Sequence, residues 1–360
     1  TIHVAEGTYK EQVVIEKSIE LISEENATIL TPDTLSPTPV GGSGQNYQST
    51  IFINNDSAEI KVTVDGFVID AHNFSPTGRY SGILIENANA HISNNEITNI
   101  LVDGKETFGI IGYGNEVLLE ENNISNFGRG GIGIYSGLAI IKNNTVTGPG
   151  PNEIVTWAPN GIQIGYGASG TIEGNKVSGC GWPGTEWAGT GIMAVDTSEV
   201  IIVSNTVTNN EQAIAVVDFP ATLYGSGWEK VVSNIKVLEN IVTNNSWGLA
   251  ISNNVSNIHV EGNHFSNTEY DNIDVYTYAE EVTPPSNVVI YKNTIESAGV
   301  DQLWVGETVT ETIDARQNWW GSDKFEEISV GIIGNADYCP WLDAEDGDPF
   351  GPCIDFEEPT

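Results

Sequence analysis

Asp196, Asp218 and Asn253 each stand four residues after an apolar residue that opens a short strand-like run: Ile192, Ile214 and Leu249 respectively. If those runs stack, the three side chains lie one above another, roughly 5 Å apart. Two carboxylates that close do not both ionise cheaply; they share a proton, take up a cation, or splay into water. A shared proton suits acid–base work on a glycosidic bond, with Asp196 and Asp218 as the catalytic pair. A cation would be Ca²⁺, held by the two carboxylates and the Asn253 amide oxygen. In a chain this acidic, solvated repulsion carries the most weight, so no cofactor is required. Asp274, on the following run, extends the same acidic patch.

A second chemistry-bearing set is aromatic. Four insertions, 149–160, 179–190, 218–230 and 276–286, break an otherwise even rhythm and concentrate Trp, Tyr and Phe. Their candidate substrate-binding residues are Trp157, Trp182, Trp187, Tyr224, Trp228, Tyr276 and Tyr278, with Phe219 beside them. Flat rings on loops carried by a rigid scaffold suit stacking against sugar faces. The alternative is that the rings fold back and seal their own loops.

These residues are positioned by a repeat. Gly191–Asn210 holds two short apolar strands, Ile192–Val195 and Val200–Val203, followed by Asn205-Thr206-Val207, and the same order recurs along most of the chain. Nine copies carry an asparagine two residues before an apolar one: Asn95, Asn122, Asn144, Asn175, Asn205, Asn240, Asn263, Asn293 and Asn318. Their spacing runs from 22 residues (Asn122 to Asn144) to 35 (Asn205 to Asn240), which fits coils whose loops grow freely. Alternating apolar residues give each strand one buried face, and no single coil can bury that face alone. Stacked coils about 4.8 Å apart bury it together, in parallel sheets around a shared interior. The asparagines then read as structural, each hydrogen-bonding its neighbours above and below and tolerating the left-handed backbone of a sharp bend.

One elongated all-β domain over residues 1–322, with about a dozen coils, is therefore expected, carrying a fifth Pro/Gly/Ser-rich insertion at 31–49. Residues 323–360 read as a closing segment and acidic tail, with Trp319 and Trp320 plugging the last coil. A formal charge of −36, from 49 acidic against 13 basic residues, excludes nucleic acid as a partner, because phosphate binding needs clustered Lys and Arg. No apolar run reaches the roughly 20 residues of a membrane span. With no leader and no initiator Met, the chain reads as a mature or trimmed form. Cys339 and Cys353 read as a disulfide stapling the C-terminal segment, which leaves Cys180 over. Seven Asn-x-Ser/Thr sequons, at Asn26, Asn55, Asn73, Asn123, Asn143, Asn244 and Asn254, are candidate glycosylation sites of an exported chain.

The Asn-x-apolar ladder, the opening Ile2-His-Val-Ala-Glu-Gly-Thr-Tyr-Lys-Glu11 and the closing Asn318-Trp-Trp-Gly321 with Tyr338-Cys-Pro-Trp-Leu342 resemble the right-handed parallel β-helix repeat family of exported carbohydrate-binding and sugar-cleaving solenoids and surface proteins. The resemblance implies a single-stranded right-handed parallel β-helix over nearly the whole chain. It does not extend to catalytic signatures. Gly7-Thr-Tyr-Lys-Glu11 is similar to the opening motif of pectin methylesterases, but their later motifs are missing, as are those of polygalacturonases and pectate lyases.

The sequence thus points to an extracellular or cell-surface β-helix protein with a structural or adhesive, glycan-binding role, leaning away from catalysis. A polysaccharide lyase, glycoside hydrolase or epimerase working in the aromatic and acidic groove is the second reading. A subunit that stacks end to end with its own copies, as a fibre or surface layer, is the third.

Overall fold

A computed structural model describes residues 1–40, 45–55, 59–151, 154–219, 231–278, 282–345 and 347–350. The chain winds into coils of three short strands, and the strands stack into three sheets, two of 13 strands and one of 11, parallel throughout except for the antiparallel pairing of the short strand Thr38–Val40. In the coil around Asn205, sheet III holds Thr190–Val195, sheet I holds Val200–Val203 and sheet II holds Thr206–Thr208. The all-β, right-handed parallel β-helix expected from the repeat is the fold observed.

Alternation builds the interior. In sheet III, Ile51, Ile83, Ile110, Ile132, Ile162, Ile192, Ile214, Leu249 and Ile273 stand in one register and are each 0% exposed. Burying each such side chain contributes about 1.5–3 kcal/mol. The sum offsets the entropy of ordering strands too short to persist alone.

The bend between sheets I and II explains the asparagines. Each ladder asparagine's Oδ1 accepts from both the backbone N–H and the Nδ2 of the asparagine one coil earlier, at 2.8–3.1 Å, without a break from Asn95 to Asn318. Below Asn95, the Phe67 N–H donates to its Oδ1. One detail differs from expectation. The left-handed residue is the one before each ladder asparagine: Asn94, Glu121, Asn143, Gly174, Ser204, Glu239, Gly262, Lys292 and Gln317. That residue turns the corner, and the asparagine satisfies the amides the corner frees. A second, shorter ladder holds the bend between sheets II and III, where Cys180 N–H donates to Asn210 Oδ1 and Asn210 N–H to Asn245 Oδ1.

At the C-terminal end a short helix, Phe325–Ile328, places Ile328 over the interior, and Trp320 and Trp341 are each 1% exposed. Trp319 is only half-buried, so the indole of Trp341 takes the second plugging place. Cys339 is in a disulfide and Cys180 is a buried free thiol; Cys353 lies outside the described residues. Among the described residues no helix is long and apolar enough to cross a membrane.

Candidate functional site

The outward face of sheet III is the unusual surface. Alternate to the interior isoleucines, Leu84, Ile111, Gly133, Gln163, Met193, Ala215, Ala250, Asp274 and Trp304 form one outward column. An outward strand position is ordinarily wet, yet Leu84, Ile111, Gln163, Ala215, Ala250 and Asp274 are all buried. Much of this face is therefore covered, although Met193 and Trp304 remain half-buried.

Over the N-terminal coils the cover is aromatic. Tyr47, Phe52 and Phe108 pack with Leu84 and Ile111 into a cluster separate from the interior, with Tyr113 and Tyr135 against it. Ring contacts continue upward from coil to coil: Tyr113 to Tyr135 at 5.4 Å and Tyr135 to Tyr166 at 5.3 Å between centroids. Burial pushes the Tyr135 and Tyr166 phenols above their ordinary range, against a smaller opposing pull from the Arg129 guanidinium, so both remain neutral hydroxyls.

Where that track reaches Tyr166, the face opens into a cleft of about 510 Å³. Trp157, from insertion 149–160, and Trp182 and Trp187, from insertion 179–190, line it together with Phe219, Arg129 and the exposed Glu186. Trp187 meets Phe219 edge-on, with centroids 6.0 Å apart. Its floor is polar: Asn160 Nδ2 donates to Gln163 Oε1 at 2.8 Å, and Gln163 in turn bonds the Tyr166 hydroxyl. The walls are tied from outside. Glu211, on the coil above, accepts from the backbone N–H groups of Gly189 and Trp182, and Arg129 donates to the Ala158 carbonyl. A concave, largely apolar space with a few convergent polar groups is the general form of a small-ligand or sugar site.

Asp196, Asp218 and Asn253 do stack, at the bend between sheets III and I, and each is buried. Asp196 and Asn253 take left-handed backbone, with φ of 47° and 66°. Asp196 Oδ1 accepts from Phe219 N–H at 2.8 Å, Asn253 Oδ1 accepts from Tyr278 N–H at 3.0 Å, and Asn253 Nδ2 donates to the Asp218 carbonyl. These contacts are the bend's own, the counterpart of the asparagine ladder at the opposite corner. The column is not part of the cleft lining, although the Asp196 charge reaches Tyr166 and its Oδ1 fixes the start of the Phe219 segment. Among the described residues no group of three or more His, Cys, Asp or Glu is placed to hold a metal ion.

The seven nominated rings divide. Trp157, Trp182 and Trp187 converge in the cleft; Tyr224 and Trp228 lie outside the described residues. Tyr276 and Tyr278 pack edge-on against each other, and Tyr276 against Trp304, farther along the solenoid. On those later coils Asp274 sits beside Asp271 and Asp301. Burial first, then the neighbouring Asp271, push its carboxyl up to about 8. Six of the seven sequon asparagines are exposed and Asn55 is half-buried.

Sequence reasoning missed Arg129, Asn160, Gln163 and the tyrosines at 113, 135 and 166. A signal for one of them was present, since Tyr166 stands four residues after Ile162, the register that singled out Asp196 after Ile192. The others sit on or beside the outward strand face, which pattern reading assigns to solvent.

The family described as "Right handed beta helix region" matches residues 81–287. No curated protein sequence matches the chain. Among solved structures, the pre-mature gene product 12 of bacteriophage phi29 is similar with a TM-score of 0.60 and 14% identity, over 98% of this chain and 54% of that one. The A-module of the mannuronan C-5 epimerase AlgE6 of Azotobacter vinelandii is similar with a TM-score of 0.56 and 13% identity, over 92% of this chain and 82% of the other. The Dettilon tailspike protein has a TM-score of 0.51 and 17% identity, over 95% of this chain and 55% of that one. At these identities the likeness is one of fold, and the chain spans about half the length of the phi29 protein and of the Dettilon tailspike.

Proposed function

Because the chain belongs to the right-handed β-helix family, matched over residues 81–287, we propose that it is an exported glycan-binding protein that lays a polysaccharide along the outer face of sheet III. The observation that carries this reading is the convergence of Trp157, Trp182, Trp187 and Phe219, from three separate chain segments, over the Asn160–Gln163–Tyr166 floor. Sugars present C–H faces and hydroxyl edges together, and a cleft with aromatic walls and an amide floor meets both. From Tyr113 to Phe219 the rings climb four coil rises, roughly 19 Å at about 4.8 Å each, which favours a linear chain over a single sugar. The compared epimerase is named for a polysaccharide, mannuronan, which agrees with this class of ligand. Exposed sequons and a solvated acidic surface support an extracellular or cell-surface setting.

One observation favours a catalytic second reading. Asp274, carrying its proton near neutral pH beside Asp271, is an acid on the same face, as a polysaccharide-cleaving or epimerising enzyme would need.

Binding is tested by affinity electrophoresis and titration against a polysaccharide panel, with Trp157→Ala and Trp187→Ala as variants. Each lost stacking platform should weaken binding by about 5- to 30-fold, corresponding to ~1–2 kcal/mol per ring. Binding to no polysaccharide, or unchanged affinity in both variants, would overturn the proposal. Release of reducing ends or of unsaturated products from a bound glycan decides for the catalytic reading.

A further inference from the structure

The chain has only three arginines in its 360 residues. Arg79 is paired with Glu106 and Arg316 with Asp314. Arg129 is the exception. Among the described residues it makes no ion pair, and its guanidinium's hydrogen bond is the one Nη1 gives to the Ala158 carbonyl. The side chain is half-buried, on a protein of formal charge −36, and it lines the aromatic cleft.

That placement needs a reason. A cation in an acidic protein readily finds a carboxylate, and leaving one partly desolvated without a counter-charge costs free energy. The Ala158 bond engages Nη1 and leaves the Nε and Nη2 edge without a hydrogen bond among the described residues. That edge presents two parallel N–H donors, the fork that matches a carboxylate or a sulfate. Glu186 also lines the cleft but is exposed, so water and salt screen it, whereas Arg129 is half-buried.

We infer that the glycan taken by this cleft is acidic, and that Arg129 reads its anionic group while the tryptophans hold the ring that bears it. The inference rests on the glycan-binding reading and narrows it to a substrate class. The overall negative charge does not forbid this. At physiological salt a surface charge is felt over about 8 Å, so the pairing at Arg129 sets the affinity and the surrounding acids mainly slow the approach.

The test uses the full chain and three probes: oligogalacturonate, the same oligosaccharides after reduction of every carboxyl to a primary alcohol, and sulfated galactan oligosaccharides. Oligogalacturonate or the sulfated galactan should bind at least tenfold more tightly than the reduced sugar, and which of the two is preferred identifies the anion. Arg129→Gln also loses the Ala158 tie, so affinity for every probe should fall, but the acidic and reduced sugars should then bind within twofold of each other. Arg129→Lys, which keeps the charge but loses the fork, should retain an intermediate preference, and it guards against a merely misfolded glutamine variant. If the reduced sugar binds as well as both acidic probes, or if Arg129→Gln keeps the full preference, the inference is overturned while the glycan-binding reading stands. If none of the probes nor any panel polysaccharide binds, both fall together.

Discussion

Replacing Asp274 with Asn should stabilise the protein, and the gain should grow with pH. Asp274 is 6% exposed and its Oδ1 has no hydrogen-bond partner among the described residues. Burial, reinforced by Asp271 and Asp301, pushes its carboxyl up to about 8, whereas in the unfolded chain it titrates near the ordinary aspartate value of 3.8. The sign follows from linkage. A raised acid folds most favourably with its proton on, so its contribution is intact below the unfolded value, shrinks as pH climbs, and is gone once pH passes about 8. Each pH unit across that window is worth about 1.4 kcal/mol, so between the unfolded value and pH 7 the penalty reaches at most about 4 kcal/mol. Asn has the same shape, carries no charge, and still offers Asp271 a donor. Urea unfolding of both chains at pH 4, 5.5, 7 and 8.5 measures the difference, and the remaining acids, common to both, cancel. The two midpoints should nearly coincide at pH 4 and separate steadily to pH 8.5, with the variant the more stable. A variant no more stable than its parent at pH 8.5, or a gap that does not widen with pH, would refute the reasoning.

Three further outcomes follow from the bends and the cleft. Asn205→Ala removes a fully buried amide that donates to the Ile172 carbonyl and Asn240 Oδ1 and accepts from Asn175 N–H and Nδ2; with these partners stranded, the chain should lose about 3–5 kcal/mol in chemical denaturation. Glu211→Ala frees the Gly189 and Trp182 amides it holds, so glycan affinity should fall severalfold by titration although Glu211 lies outside the cleft. Asp196→Asn keeps an oxygen for the Phe219 amide and should leave both the melting temperature and glycan binding close to the parent's. Asp196→Ala should cost about 1–2 kcal/mol, and loss of function in the asparagine variant alone would show that the charge itself is used.

The fold was legible because its signal is redundant. Nine asparagines in one sequence context, each trailing a strand with alternate apolar residues, leave little besides stacked coils. The site was legible by halves. Insertions announce themselves by breaking the repeat, and so Trp157, Trp182 and Trp187 stand out in the sequence alone. Arg129, Asn160, Gln163 and Tyr166 could not, because each sits on or beside a regular strand, and its importance comes from the loop folded over it. Burial of an outward strand position is a tertiary fact with no period of its own. Asn210 and Asn245 were missed for a related reason: two members make a ladder in space but not a visible repeat in sequence.

The acidic column shows where reading chemistry from residue type runs into the demands of the backbone. A solenoid corner leaves amides without strand partners, and every coil must supply an acceptor for them. Asparagine does this at the corner between sheets I and II. At the corner between sheets III and I, Asn253 accepts the Tyr278 amide and Asp196 accepts the Phe219 amide by the same geometry, one coil position apart from Asp218 between them. An aspartate and an asparagine that occupy one register are therefore first of all two forms of a bend acceptor. A carboxylate whose environment works against its charge is a different matter. Asp274, raised by burial and by its neighbours, should cost stability where an asparagine would not, and Arg129 makes no ion pair among the described residues. Residues held at a cost mark function more reliably than residues whose hydrogen bonds the fold already requires, and both of these stand on the outer face of sheet III.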